Sequence, residues 1–289
     1  MKYFFHSLIS FINFIQIRIV IIMKEIIIDS KYSLKSEDGD NWYVYEHGIL
    51  RDEGPEFLYK FYSINEMYLE NHHALESDYN IDALKNKYLY LSNPVDFNDP
   101  FDCHVNLTHH ELHDQFKGDF CDWNSLHNVG ICSFSEYAEN PIMWGHYTNC
   151  FKGFVIKYDR KIIQLKKDDG WLDGTHIRKV IYPEYLKRIE WPHDTLEKIY
   201  LVSVKQRDWS YEREWRILAF LKEGDLGRKA YLTDNDQVKE ILIGYKIRAY
   251  YPQVYQKILN IRNKVYPNVP IKIVGPHKSE LRLDFVEVK

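Results

Sequence analysis

Cysteine is scarce: four in 289 residues, Cys103, Cys121, Cys132 and Cys150. That is too few for a disulfide scaffold in a chain this long, and no CxxC pair offers a structural zinc knuckle. His104, His109, His110 and His113 lie near Cys103, but their spacing matches no standard metal site. Reduced, partly buried thiols in a cytoplasmic protein are the expectation. Glycine-rich phosphate loops are missing too: there is no GxGxxG and no GxxxxGK[ST]. Nor is there an HExxH, a GxSxG, or an HRD with a later DFG. Dinucleotide oxidoreductases, P-loop nucleotidases, zincins, kinases and serine hydrolases of the usual kinds lose their signatures. Charge of one sign is also lacking. The formal net charge is -4, so no global field draws nucleic acid or anionic lipid, although a local basic groove remains open.

What is present is ordinary globular composition, 45% hydrophobic and 28% charged, with 16% aromatics that include 23 Tyr and 7 Trp. Such rings fill cores, and they also line pockets where planar ligands stack. Residues 3–23 form the one long apolar run, interrupted by His6, Asn13, Gln16 and Arg18. It is long enough to span a bilayer, and Arg18 lies toward one end where it could snorkel. No small-residue cleavage site follows, which argues against a signal peptide. The run reads as a weak membrane anchor, a packed helix, or an upstream extension with Met23 as the natural start. Beyond residue 28 nothing looks transmembrane. The chain therefore divides into residues 1–28, an apolar extension or anchor, and residues 29–289, a single domain.

Periodicity sets the fold class. Residues 29–56 read as a loop-rich lead-in. Strand patterns follow at Phe57–Tyr62, Tyr88–Ser92, Val129–Phe134, Gly153–Tyr158, Arg178–Tyr182, Tyr211–Phe220, Val238–Ile243, Ile271–Val274 and Leu281–Val288. Helical patterns occupy Asn65–Lys87, Ile142–Asn149, Glu184–Lys205 and Tyr250–Asn260, and residues 160–178 read as a charged loop. The alternation is irregular and lacks a run of βαβ units. It predicts an α+β domain with a central mixed or mainly antiparallel split sheet and helical insertions, not a doubly wound one.

Three clusters carry candidate chemistry. In Ser92-Asn93-Pro94 through Asp102, Asn98 and Asp99 suit a turn cap, while Asp96, Asp99 and Asp102 could converge on a divalent cation. In Ser133–Asn149, Ser133 and Ser135 share a face. Trp144 and His146 flank a permissive Gly145, with Tyr147 following, and His146 could serve as an acid, a base or a hydrogen-bond donor. In Tyr211–Arg216, Glu212 and Glu214 could stabilise a developing cation, with Arg213 and Arg216 as ion-pair partners. Alternation places Glu214, Arg216 and Leu218 on one face and Trp215 and Ile217 on the other. Tyr59, Lys60 and Tyr62 on the first strong strand could meet a phosphate or a ring.

The blocks Tyr59-Lys60-Phe61, Leu91-Ser92-Asn93-Pro94 through Phe97-Asn98-Asp99-Pro100-Phe101-Asp102, Cys132-Ser133-Phe134-Ser135, Met143-Trp144-Gly145-His146-Tyr147 with Gly153-Phe154, and Trp209–Arg216 stand in one order over about residues 57–245. In this they resemble a bacterial family of unknown function. More distantly, the chain resembles the ADP-ribosyltransferase fold, including its DNA-modifying toxin branch. That likeness implies NAD as donor and a nucleic-acid or protein acceptor. Its matching positions are Tyr59 to Tyr62, Tyr90 with Ser92, and Glu212 or Glu214. Together with the clusters above, this makes Glu214, Glu212, His146 and Tyr90 the candidate catalytic residues, and Tyr59, Lys60, Tyr62, Ser92, Asn98, Trp144 and Tyr147 the candidate NAD contacts. The order of His146 and Tyr90 departs from that fold's usual arrangement. A non-catalytic ligand-sensing or interaction module and a metal-dependent nuclease or phosphodiesterase stand beside it as alternatives.

Overall fold

The computed structural model describes residues 24–36, 42–50, 54–97, 99, 102–103, 129–160, 165–167, 170–171, 176–184, 199–221 and 227–288. The readings placed on residues 1–23, on Asn98 and on most of Glu184–Lys205 lie outside them. The chain forms an α+β domain built on an eight-stranded sheet with two four-stranded sheets packed around it. In chain order the strands are β1 Lys24–Ile27, β2 Tyr32–Ser36, β3 Trp42–Glu46, β4 Ile49–Leu50, β5 Phe57–Ser63, β6 Tyr88–Tyr90, β7 Val129–Ser135 and β8 Gly153–Asp159. There follow β9 Leu165–Lys167, β10 Gly170–Trp171, β11 His176–Lys179, β12 Glu214–Phe220, β13 Lys229–Leu232, β14 Val238–Gly244, β15 Ile271–Pro276 and β16 Leu283–Glu287. The helices are α1 Glu66–Glu70, α2 Tyr79–Asn86, α3 Pro141–Tyr147, α4 Tyr245–Tyr250 and α5 Pro252–Val265. Among the described residues no helix is long and apolar enough to cross a membrane.

The large sheet runs β11-β12-β7-β5-β8-β14-β15-β16. Its pairs are antiparallel except β14 with β15. β7 pairs along its whole length with β12, and β5 along its whole length with β8. Between β5 and β7, among the described residues, pairing is confined to Tyr59 and Ser135. The sheet is therefore mixed, mainly antiparallel, and split at its centre.

Side-chain alternation gives the two faces separate cores. On one face Leu58, Tyr62, Cys132, Phe134, Trp215, Ile217 and Ala219 pack beneath α1, α2 and α5 and against Leu89 and Ala230 of the second sheet. On the other face Val129, Ile131 and Leu218 pack against Leu34 and Val44 of the amino-terminal sheet and the buried segment Ile199–Val204. A third cluster, at the far side of the split, joins Val155, Leu242 and Val274 to Trp144 of α3, with Tyr59 and Phe61 against it. The split lies between the second and third clusters.

Two stretches depart from the sequence reading. Residues 29–56, expected as a lead-in loop, contain β2 to β4 of a four-stranded antiparallel sheet with β1. Leu34 and Val44 are buried while the other positions of β2 and β3 are polar or aromatic, which hides the period of two. Ile26 and Ile28 pack in the same cluster, so residues 24–28, read from sequence as the end of the apolar extension, belong to this sheet and its core. Within residues 160–178, β9 and β10 form a short ladder that β13 extends.

Candidate active site

The mouth of the split holds a cavity of about 180 Å³. Its floor is the facing stretch of β5 and β7, with Tyr59, Phe61, Ser133 and Ser135. Met143 and Tyr147 of α3 form one wall, and Phe97 and Asp102 stand in another. Lys205, Glu212 and Glu214 complete it. The serines reach it because Glu214 pairs with Ser135 and Arg216 with Ser133, so all four share one face. α3 is set by its ends: Asn140 caps the first turn through the Ile142 N–H, and Pro141 opens the helix.

Under the cavity lies a buried ionic network. The Arg216 side chain is fully buried. Its Nε donates to Glu214 Oε1 at 2.8 Å, and its terminal nitrogens donate to Asp102 Oδ2 at 2.7 Å, Glu214 Oε2 at 3.0 Å and the Val202 carbonyl at 2.8 Å. Lys205 Nζ donates to Glu212 Oε2 at 2.6 Å, and lies 3.4 Å from both Glu214 and Asp102. The other Glu212 oxygen accepts from the Tyr147 hydroxyl. Trp209 lies over the Lys205 ammonium at 4.9 Å. The Tyr182 hydroxyl accepts the Glu214 N–H at 2.9 Å and fixes the start of β12.

The two glutamates are driven apart electrostatically. Burial pushes the Glu214 carboxyl up, but Arg216 and Lys205, helped by a hydrogen bond from Ser133, outweigh it and hold the group at about 2. Glu212 moves the other way: burial and the Glu214 charge raise it against the pull of Lys205 and Tyr147. Burial alone would lower Lys205, yet Glu214, Asp102 and Glu212 raise it, so it stays an ammonium. Burial and Glu212 raise the Tyr147 hydroxyl, which stays protonated as the donor. Three carboxyls thus face two cations among the described residues, and the one whose proton affinity is raised, Glu212, lies on the cavity wall.

Of the residues singled out from sequence, the fold brings Tyr59, Lys60, Tyr147, Glu212 and Glu214 to the cavity. Lys60 is held by the Ser133 carbonyl at 3.4 Å and by the faces of Tyr62 and Phe134. Others go elsewhere. Tyr62 is one strand position off: it points to the opposite face, stacks on Phe154 and bonds Tyr158 through its hydroxyl at 3.1 Å. Trp144 is fully buried, with its indole N–H on the Ala138 carbonyl at 2.7 Å and its ring on Phe151. Tyr90 is exposed in the second sheet, and Ser92 forms a bridge to Ile131. Neither lines the cavity. His146 is exposed at the rim, its Nδ1 3.0 Å from the Tyr211 hydroxyl. Asp102, weighed as a metal ligand, is bonded by Arg216. Among the described residues no group of three acidic, His or Cys side chains is arranged to hold a metal ion. Lys205 and Tyr182 were not singled out. A lysine closing the apolar run Ile199–Val204 was the available signal, since such a charge must find partners indoors.

Residues 143–217 match the model of a family described as a protein of unknown function, DUF2971. The match takes in α3, β8, Lys205, both glutamates and Arg216. No curated protein and no solved structure matches the chain.

Proposed function

We propose that the cavity is the active site of an ADP-ribosyltransferase-like enzyme that uses NAD as donor. The observation that carries this reading is the pair Glu212 and Glu214, two carboxyls in one cavity with their proton affinities displaced in opposite directions. Such a pair separates an acid–base group from a permanently ionised one. The site also suits the donor's reactive end. A surplus negative charge within a wall of Tyr59, Phe61, Phe97 and Tyr147 favours a flat cation such as a pyridinium ring. At about 180 Å³ the cavity is smaller than the roughly 300 Å³ at which sites for whole small molecules begin, so it takes one end of a larger ligand.

NAD supplies a ribose carbon whose bond to a cationic ring breaks with the electron pair passing to the ring nitrogen, so the leaving nicotinamide is neutral and needs no acid. Glu214, clamped by Arg216, stabilises the positive charge that grows on the sugar, and needs no reorganisation to do so. Glu212 accepts the proton of the incoming acceptor hydroxyl or amine as the new bond forms. Tyr147 and Lys205 hold its carboxylate in place. The charge balance disfavours a divalent-metal reading of these acids, because a metal would compete with Lys205 and Arg216 for the same oxygens.

The test is nicotinamide release from NAD by the purified protein. Release above the blank is expected. Glu214→Gln should lower it about 100- to 1,000-fold, as losing one charge-stabilising group does. Absence of release, together with no NAD-induced rise in melting temperature, would return the cavity to the non-catalytic ligand-sensing reading.

A further inference from the structure

A second depression adjoins the cavity. It is an open groove of about 560 Å³ lined by Ser135, Tyr137, Glu139, Asn140, Tyr211 and Arg213. Ser135 belongs to both. The wall between them is the chain Tyr211-Glu212-Arg213: the middle residue lines the cavity, and its two neighbours line the groove. Whatever lies in the groove is therefore one residue away from the Glu212 carboxylate.

The groove's chemistry is specific. Tyr137 is 47% exposed, and the Arg213 guanidinium lies 5.0 Å from its ring centroid. Tyr211 continues the aromatic surface to Trp209 and His146, at 6.0 and 6.1 Å between centroids. The Arg213 side chain is 59% exposed and its nearest carboxylate oxygen, on Glu136, is 3.8 Å away. Its backbone is left-handed, φ 44°, a conformation that a non-glycine residue holds only when its surroundings impose it. Glu139 accepts the Ala138 N–H through one oxygen at 3.0 Å. Among the described residues the other has no hydrogen-bond donor.

We propose that this groove is the acceptor site and that it takes single-stranded nucleic acid, with one base on the Tyr137 and Tyr211 rings and a phosphate on Arg213. Aromatic faces beside an exposed guanidinium are the means by which single strands are held. The free Glu139 oxygen suits a base with an amino group, as a carboxylate accepts from cytosine. A peptide is less well served. Extended peptides add to open strand edges, and at Ser135 β7 is paired on both sides, with Glu214 and with Tyr59. This inference rests on the reading of the cavity as the reaction centre, but its test contains no NAD.

Fluorescein-labelled oligo-dC and oligo-dT single strands are titrated with the full chain and followed by anisotropy. Binding is expected, tighter for oligo-dC. Tyr137→Ala should weaken it by about five- to one-hundred-fold, the range of one lost stacking contact. Arg213→Gly removes the guanidinium while suiting the left-handed backbone, so a folding defect is not a way for it to fail. It should weaken binding and lower the slope of log affinity against log salt by about one. Tyr79→Ala, at an 82% exposed tyrosine of α2, is the control and should bind as the parent does. The proposal falls if the parent binds no strand, or if Tyr137→Ala and Arg213→Gly bind as tightly as the parent. It also falls if a labelled tryptic peptide mixture, and not the strands, binds with that dependence. Nicotinamide release without strand binding would overturn the groove alone, and strand binding without release would overturn the donor reading alone.

Discussion

Glu212 and Glu214 are two positions apart and both buried, yet one carboxyl is clamped by a guanidinium and the other by a phenol and a shared ammonium. The difference has a thermodynamic signature. The folded value of Glu214 lies below its unfolded value of about 4.5, so its contribution is present above that pH and is lost as pH falls toward about 2. Glu214→Gln should therefore cost about 3 kcal/mol in urea unfolding at pH 7, and the gap from the parent should close in acid. Glu212 has the opposite sign: its folded value is raised, so its ionised form opposes folding above the unfolded value. Glu212→Gln should be neutral or stabilising at pH 7 while removing acceptor-dependent turnover. In the parent that turnover should rise with pH through the raised value, and the limb should vanish in the variant. Arg216 offers a third contrast. Its removal as Arg216→Ala takes the guanidinium from buried Asp102 and Glu214 and leaves them only Lys205, 3.4 Å from each, at a cost of roughly 3–5 kcal/mol.

The elements that hold the site are short, and α3 shows how a short helix is kept in place. After its carboxy end the backbone stays left-handed through Asn149, Cys150 and Phe151, at φ 50°, 56° and 66°. This brings the Phe151 carbonyl against Gly244, where a Cβ would overlap it. Gly244→Ala should therefore destabilise by about 1–3 kcal/mol, as overpacking does. Cys150 is exposed, and Cys150→Gly should raise stability by up to about 1 kcal/mol by relieving one left-handed residue. Thermal melting checks both. The strands of the large sheet were legible because Phe57–Tyr62, Val129–Phe134 and Gly153–Tyr158 are dense in apolar and β-branched or aromatic residues. The amino-terminal sheet was not, because Tyr43 and Tyr45 stand on the face opposite Leu34 and Val44 while Ser36 and Glu46 share their face, so apolar and polar residues do not alternate. β9 and β10 were missed because a strand of two or three residues is too short to show a period.

For the molecule as a whole, the faces of β12 were legible from alternation, and with them the inward turn of Glu214 and Arg216. The cavity was only half legible. Tyr59 and Tyr147 reach it, while Trp144 and Tyr62 are equally aromatic and fill cores, a choice made by tertiary packing that one sequence does not display. Lys205 lies far in sequence from its partner Asp102, and no local pattern joins them. Because the described core begins at Lys24, deletion of residues 1–22 should leave a cooperative melting transition, which differential scanning calorimetry reads directly. The order of strands in the large sheet also sets a timetable for synthesis. β5 emerges about 90 residues before β8, the strand that pairs with its whole length, and β7 precedes β12 by a similar interval. At roughly 5–20 residues per second, the strand β5 waits several seconds on the ribosome with Phe57, Leu58 and Phe61 still without their β8 partners. Unpaired strand edges of that kind make a nascent chain prone to pairing with its neighbours.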